Sequence, residues 1–190
     1  EFQSPDADKG EPGGNHRSWH PVMKETGRSL SVRNASTNVF IAPWKASGDV
    51  GSQTMYCSDC HGSATANGTA VPNGNSSTED GSPWGPHGST KNFLLKGDWS
   101  TATRAGQQDD LCFKCHVYSR YATRNSTPSG FGGPRDDNLH GYHADKVGTM
   151  RCTWCHVAIP HGWKNKAFLV NLNDVGPEVG LAAGTQVRNN

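Results

Sequence analysis

All six cysteines of the chain fall in Cys-x-x-Cys pairs, and a histidine follows each pair directly. The three motifs are CSDCH (Cys57, Cys60, His61), CFKCH (Cys112, Cys115, His116) and CTWCH (Cys152, Cys155, His156). Few folds use cysteine this way. Disulfides within each pair would close tiny loops and leave the histidines without a task. Structural zinc asks for paired knuckles about 12–20 residues apart. Here there are three knuckles, whose first cysteines lie 55 and 40 residues apart. A thioredoxin-like motif would occur once, between strand and helix.

The remaining reading of Cys-x-x-Cys-His is attachment of c-type haem. Two thiols form thioethers with the vinyl groups of one macrocycle. The short spacer then carries the next imidazole under the porphyrin, as proximal iron ligand. Three covalent c-type haems are therefore expected. Cys57, Cys60, Cys112, Cys115, Cys152 and Cys155 would hold them, with His61, His116 and His156 on iron.

That reading answers a problem of composition. Leu, Ile, Val and Phe number 28 of 190 residues, while Gly and Pro number 23 and 11. So little aliphatic surface cannot offset the entropy of ordering the chain. Yet 18% charged residues and a net charge of +1 do not describe a disordered polymer. Three flat, mostly apolar macrocycles would supply the missing core. The near-zero net charge gives no case for a nucleic-acid partner. No apolar run approaches the roughly 18 residues of a membrane span. The polar first ten residues carry no leader pattern, so an exported chain is expected to have lost its leader. Covalent haem is attached on the exported side of a membrane, which makes the expected location extracellular, or alternatively periplasmic.

Six histidines remain for the distal side of three irons: His16, His20, His87, His140, His143 and His161. Methionine is the other common ligand, but only Met23, Met55 and Met150 exist, and the last two lie two residues before a motif. His87 and His161 share a Pro-His-Gly setting, in which proline fixes the approach and glycine lets the chain turn away. His20 precedes a proline, which favours extended backbone. His143 closes HGYH, nine residues before Cys152. His20, His87, His143 and His161 are the preferred distal candidates, ahead of His140 and His16. Four candidates for three vacancies leave room for a decoy, or for exchange of a ligand between neighbouring molecules through the arm that carries His16 and His20.

The expected fold is mostly coil with a few short α-helices and minimal β-structure, organised around the haems. Residues 1–40 read as an N-terminal arm, 41–175 as a trihaem domain and 176–190 as a tail. Residues 38–44 read as a short strand, 92–99 as a possible helical turn and 109–121 as a helix capped by Asp109 or Asp110. The Gly/Ser/Asn-rich stretch between the first motif and Trp84 carries no period and reads as loop. Asn34, Asn67, Asn75 and Asn125 match the N-glycosylation pattern, a loose signal in polar loops.

From TMYCSDCHG through GPHGS, LCFKCH and LHGYH to CTWCHVAIPHGWKNKAFLVN, roughly residues 54–172, the chain resembles the multihaem c-type cytochromes of metal-reducing prokaryotes, including those that polymerise into extracellular nanowires. The resemblance implies bis-histidine haems in close parallel and T-shaped pairs, and long-range electron transport. It implies a homopolymer with haem–haem contact across subunits, in which axial histidines are exchanged, and dealings with other redox proteins or extracellular acceptors. The filament subunit is the preferred reading; the better-known filament members have more haems than three, so a discrete periplasmic carrier, or one module of a longer array, stays open beside it. An enzyme is not expected. A small multihaem reductase would need an iron with an open axial site, which the surplus of histidines argues against, and a haem sensor would need only one exchangeable haem.

Overall fold

The computed structural model describes residues 20, 39–41, 55–69, 71, 78–79, 82–83, 85, 87–99, 106–148, 150–156 and 161. His16, Met23 and the C-terminal tail lie outside them, as does most of the arm. Coil predominates, with short helices, as the glycine and proline content led us to expect. In chain order the elements are α1 (Cys57–Cys60), a two-residue ladder of β1 (Thr78–Glu79) with β2 (Ser82–Pro83), and a 3-10 turn at Asn92–Leu94. A second 3-10 turn at Leu111–Lys114, α2 (Tyr118–Tyr121), α3 (Leu139–Lys146) and α4 (Cys152–Cys155) follow.

Each motif forms a single turn closed in the same way. The amide of the motif histidine donates to the carbonyl of the first cysteine: His61 to Cys57 at 2.8 Å, His116 to Cys112 at 2.9 Å and His156 to Cys152 at 2.9 Å. One turn therefore carries both thiols and delivers the imidazole at its end, three times over.

The helix expected over 109–121 is two separate turns. Between them, Cys115 and Val117 turn their backbone groups toward another segment. Ile41 N–H donates to Cys115 C=O at 2.9 Å and Val117 N–H to Val39 C=O at 3.0 Å, bridging Phe40 to His116. Groups spent sideways cannot continue a helix. Asp110 does stand at the cap position of the second 3-10 turn, with the extended backbone usual there (ψ 139°), but its carboxylate makes no cap bond because it is engaged with Gln107 N–H and Arg151. The expected strand over 38–44 appears, in its described part, as this one bridge.

Segment 92–98 ties the first motif to the second. Gly62 N–H donates to Leu94 C=O (2.8 Å), Lys96 N–H to Cys60 C=O (2.9 Å), and Leu111 N–H to Asp98 C=O (3.0 Å). Gly97 makes this crossing possible. A Cβ there would stand 2.7 Å from the Leu111 Cα and 2.8 Å from its nitrogen, closer than backbone can yield. Lys114, buried in the second motif, donates to the Thr65 and Ala66 carbonyls at 3.0 and 2.7 Å.

The second and third motifs are locked by charge. Asp110 Oδ1 meets Arg151 Nη2 at 3.1 Å, with both side chains 5% exposed, while Asp110 Oδ2 accepts from Gln107 N–H at 2.8 Å. Among the described residues only Val39, Val71, Leu95 and Phe113 are buried apolar side chains, against eight buried polar or charged ones. The interior is thus a polar frame with little aliphatic filling.

Candidate functional site

Each motif histidine is faced by one other histidine. His20 lies opposite His116 with ring centroids 6.3 Å apart, His161 opposite His61 at 6.3 Å, and His140 opposite His156 at 6.1 Å. The interplanar angles are 32°, 23° and 24°. This separation is too long for a direct imidazole–imidazole hydrogen bond, which would set the centroids about 5.2 Å apart. Two imidazoles on opposite sides of one metal, each bonded at about 2.0–2.1 Å, have centroids about 6.3 Å apart. The centroid separations of the three pairs match that of two axial imidazoles on one six-coordinate iron.

The hydrogen bonds of two of the six rings agree with that chemistry, while His116 Nδ1 is buried without a partner among the described residues. A metal-binding imidazole commonly donates its second nitrogen to an oxygen, which fixes tautomer and orientation. His61 Nδ1 lies 2.8 Å from the Phe93 carbonyl, and His140 Nδ1 lies 2.7 Å from Ser129 Oγ. Both contacts occupy Nδ1, so that Nε2 is the atom that could ligate a metal. The Phe93 carbonyl is aimed by an unusual backbone, since Phe93 and Leu94 are consecutive left-handed residues (φ 60° and 55°). Strain of this kind costs of order 1–3 kcal/mol per residue and gathers at functional sites. His20 is left-handed too (φ 53°), not extended as its proline neighbour suggested. That rule is a preference, which the turn at His20 overrides.

Burial lowers the proton affinity of two of these rings. Desolvation, helped by His156, pushes His116 down to about 4, and desolvation with His156, His143 and His116 pushes His140 down to about 4. Both are neutral at pH 7, the state in which imidazole binds metal. His161 is lowered in the same sense, by desolvation and by His61.

The cysteines are unpaired as disulfides, with Cys57 and Cys155 exposed and the other four part-buried. The first thiols of the second and third motifs share a hydrogen bond, which pushes Cys112 up and Cys152 down. Burial pushes Cys60 up to about 12. Large apolar side chains stand exposed beside the first and third motifs: Tyr56, Phe93, Leu94 and Trp154. Such surface fits the edges of an apolar macrocycle.

The second and third pairs are neighbours. Tyr121 stands edge-on to His116 (5.4 Å, 84°) and to His140 (4.9 Å, 74°), a wedge between the two. Burial pushes its phenol up to about 12 from the ordinary 10. Between those values the unfolded chain gives up a proton that the folded chain keeps, so stability is full below pH 10 and falls as pH rises through about 12. We expect Tyr121→Phe to abolish this part of the alkaline loss. Denaturant unfolding of both proteins at about pH 9 and about pH 11 checks it; equal alkaline losses would refute it.

Of the four preferred distal candidates, His20 and His161 face motif histidines. His143 stands beside Phe131 (5.8 Å) and Tyr142 (6.1 Å), while His140, one turn earlier on α3, faces His156. His87 lies exposed in a turn and, among the described residues, faces none of the three. Sequence reasoning passed over Ser129, Asn138 and Tyr121. The Asn138–Leu139 start of α3, a capping residue before an apolar one, was the available signal. Asn125, in a glycosylation pattern, has its amide committed to the fold: it donates to the Ser119 and Thr123 carbonyls and accepts from Thr127 N–H and Asn138 Nδ2.

No protein-family model matches the chain, and neither the curated proteins nor the solved structures hold a match to it.

Proposed function

We propose that the chain is an electron-transfer protein carrying three covalent c-type haems, each with two histidine ligands. The observation that carries this reading is the 6.1–6.3 Å facing of every motif histidine by a second histidine. The six cysteines would hold the haems. His61 with His161, His116 with His20, and His156 with His140 would fill the axial positions. Bound haem would supply a one-electron iron couple, whose potential depends on the axial ligands and on the hydrogen bonds and solvent around them. The chain's own residues fix the His61 and His140 rings by hydrogen bonds, keep His116 and His140 neutral by burial, and close the polar frame around them.

Two histidines on every iron leave no axial position for a substrate, which supports a carrier over a reductase. The three facing pairs lie within one chain, and a chain that ligates its own irons can act as a self-contained carrier. Packing into an extracellular filament by contact alone is the second reading, suggested by the resemblance. Electron microscopy of the purified protein separates the two.

The direct test is the intact mass and absorption spectrum of the protein from an exporting host. We expect three haems per chain, all low-spin. A disulfide between Cys112 and Cys152 in place of two haems would refute the reading.

A further inference from the structure

We infer that Ser129 and Asn138 form a proton-fixing relay that sets the tautomer of His140 and thereby tunes the third haem, an inference that rests on the haem reading above. Asn138 is fully buried, and its amide orientation is fixed by two backbone groups that cannot exchange roles. Its Oδ1 accepts from Gly141 N–H at 2.9 Å, and its Nδ2 donates to the Arg120 carbonyl at 2.8 Å. A flipped amide would set N–H against N–H and oxygen against oxygen. Nδ2 also donates to Asn125 Oδ1 at 3.1 Å.

The rest follows by counting protons. Ser129 Oγ lies 2.8 Å from Asn138 Oδ1, which can only accept, so the hydroxyl gives its single proton there. Ser129 Oγ also lies 2.7 Å from His140 Nδ1. With its proton spent, the hydroxyl can only accept from the ring. The proton of a neutral His140 therefore sits on Nδ1, and Nε2 carries the lone pair. Ser129 is 6% exposed, so water does not readily take its place.

The same contact changes the ring as a ligand. An imidazole that donates Nδ1–H to oxygen is a stronger donor to its metal, which favours the oxidised ion. Asn138 at once caps α3 and orders the tautomer, so the helix that carries His140 and the chemistry of its ring are fixed by one side chain. His143, three residues on, has no such relay among the described residues. Ser129 and Asn138 are positioning residues, and neither touches the iron.

The test is a spectroelectrochemical titration of the haem-loaded wild type and Ser129→Ala. We expect both to carry three low-spin haems. One of the three couples in the variant should move upward by about a tenfold change in its equilibrium, about 59 mV for one electron, with the other two unmoved. Ser129→Thr, which keeps the hydroxyl, should restore the wild-type value. Should the alanine variant fail to accumulate, Ser129→Cys, a weaker acceptor of similar shape, should shift the same couple by less. Full haem loading with three unmoved couples overturns the relay alone. A wild type without haem at Cys152 and Cys155 overturns the haem reading and the relay with it.

Discussion

Asp110→Asn should cost the folded protein about 3–5 kcal/mol, the amount typical when one member of a buried ion pair loses its partner's charge. The substitution keeps shape and the acceptor for Gln107 N–H, so what is lost is the countercharge to a guanidinium 5% exposed. Arg151→Met should be costly for the mirror reason, removing the guanidinium from a carboxylate that is 5% exposed. The double variant Asp110→Leu with Arg151→Met should recover much of the loss, because neither charge is then stranded. Denaturant unfolding of the four proteins checks this. Single variants within about 0.5 kcal/mol of wild type would mean that the pair is solvated and does not lock the second motif to the third.

His140→Ala should convert one of the three haems to a high-spin state, and His143→Ala should convert none. The two residues lie three apart on α3, yet His140 faces His156 at 6.1 Å while His143 packs on Phe131 and Tyr142. The measurement is the high-spin charge-transfer band and the electron paramagnetic resonance of each variant, with haem content as the control. A high-spin haem in the His143 variant alone would move the ligand to that residue. Low-spin spectra in both would remove α3 from the iron altogether.

The three motifs were legible because Cys-x-x-Cys-His is chemically local. Five residues contain both thiols and the imidazole that follows them, and one helical turn arranges them. The scarcity of aliphatic residues made coil and short helices legible as well. Partner choice was not local. His20 and His116, or His61 and His161, lie about a hundred residues apart, and no spacing rule connects them. The shared Pro-His-Gly setting did not discriminate either, since His161 faces a motif histidine and His87 lies exposed in a turn. On α3 it is His140 and not His143 that faces His156, and Ser129 reaches the His140 ring from a separate loop. The helix expected over 109–121 failed for a related reason: Val39 and Ile41, distant in sequence, drew off the backbone groups of Val117 and Cys115.

Four buried apolar side chains among the described residues are few against the ordering of those residues. With haem as the proposed filling, folding and attachment become a single event, as they do in small metal-dependent domains. A copy that misses a haem would lack both the covalent tether and the apolar mass that closes the polar frame around it. Its loops would stay open to proteases while complete copies close. The thinness of the core would then act as a checkpoint on assembly: incomplete carriers would be removed by their own instability, without any dedicated inspection step.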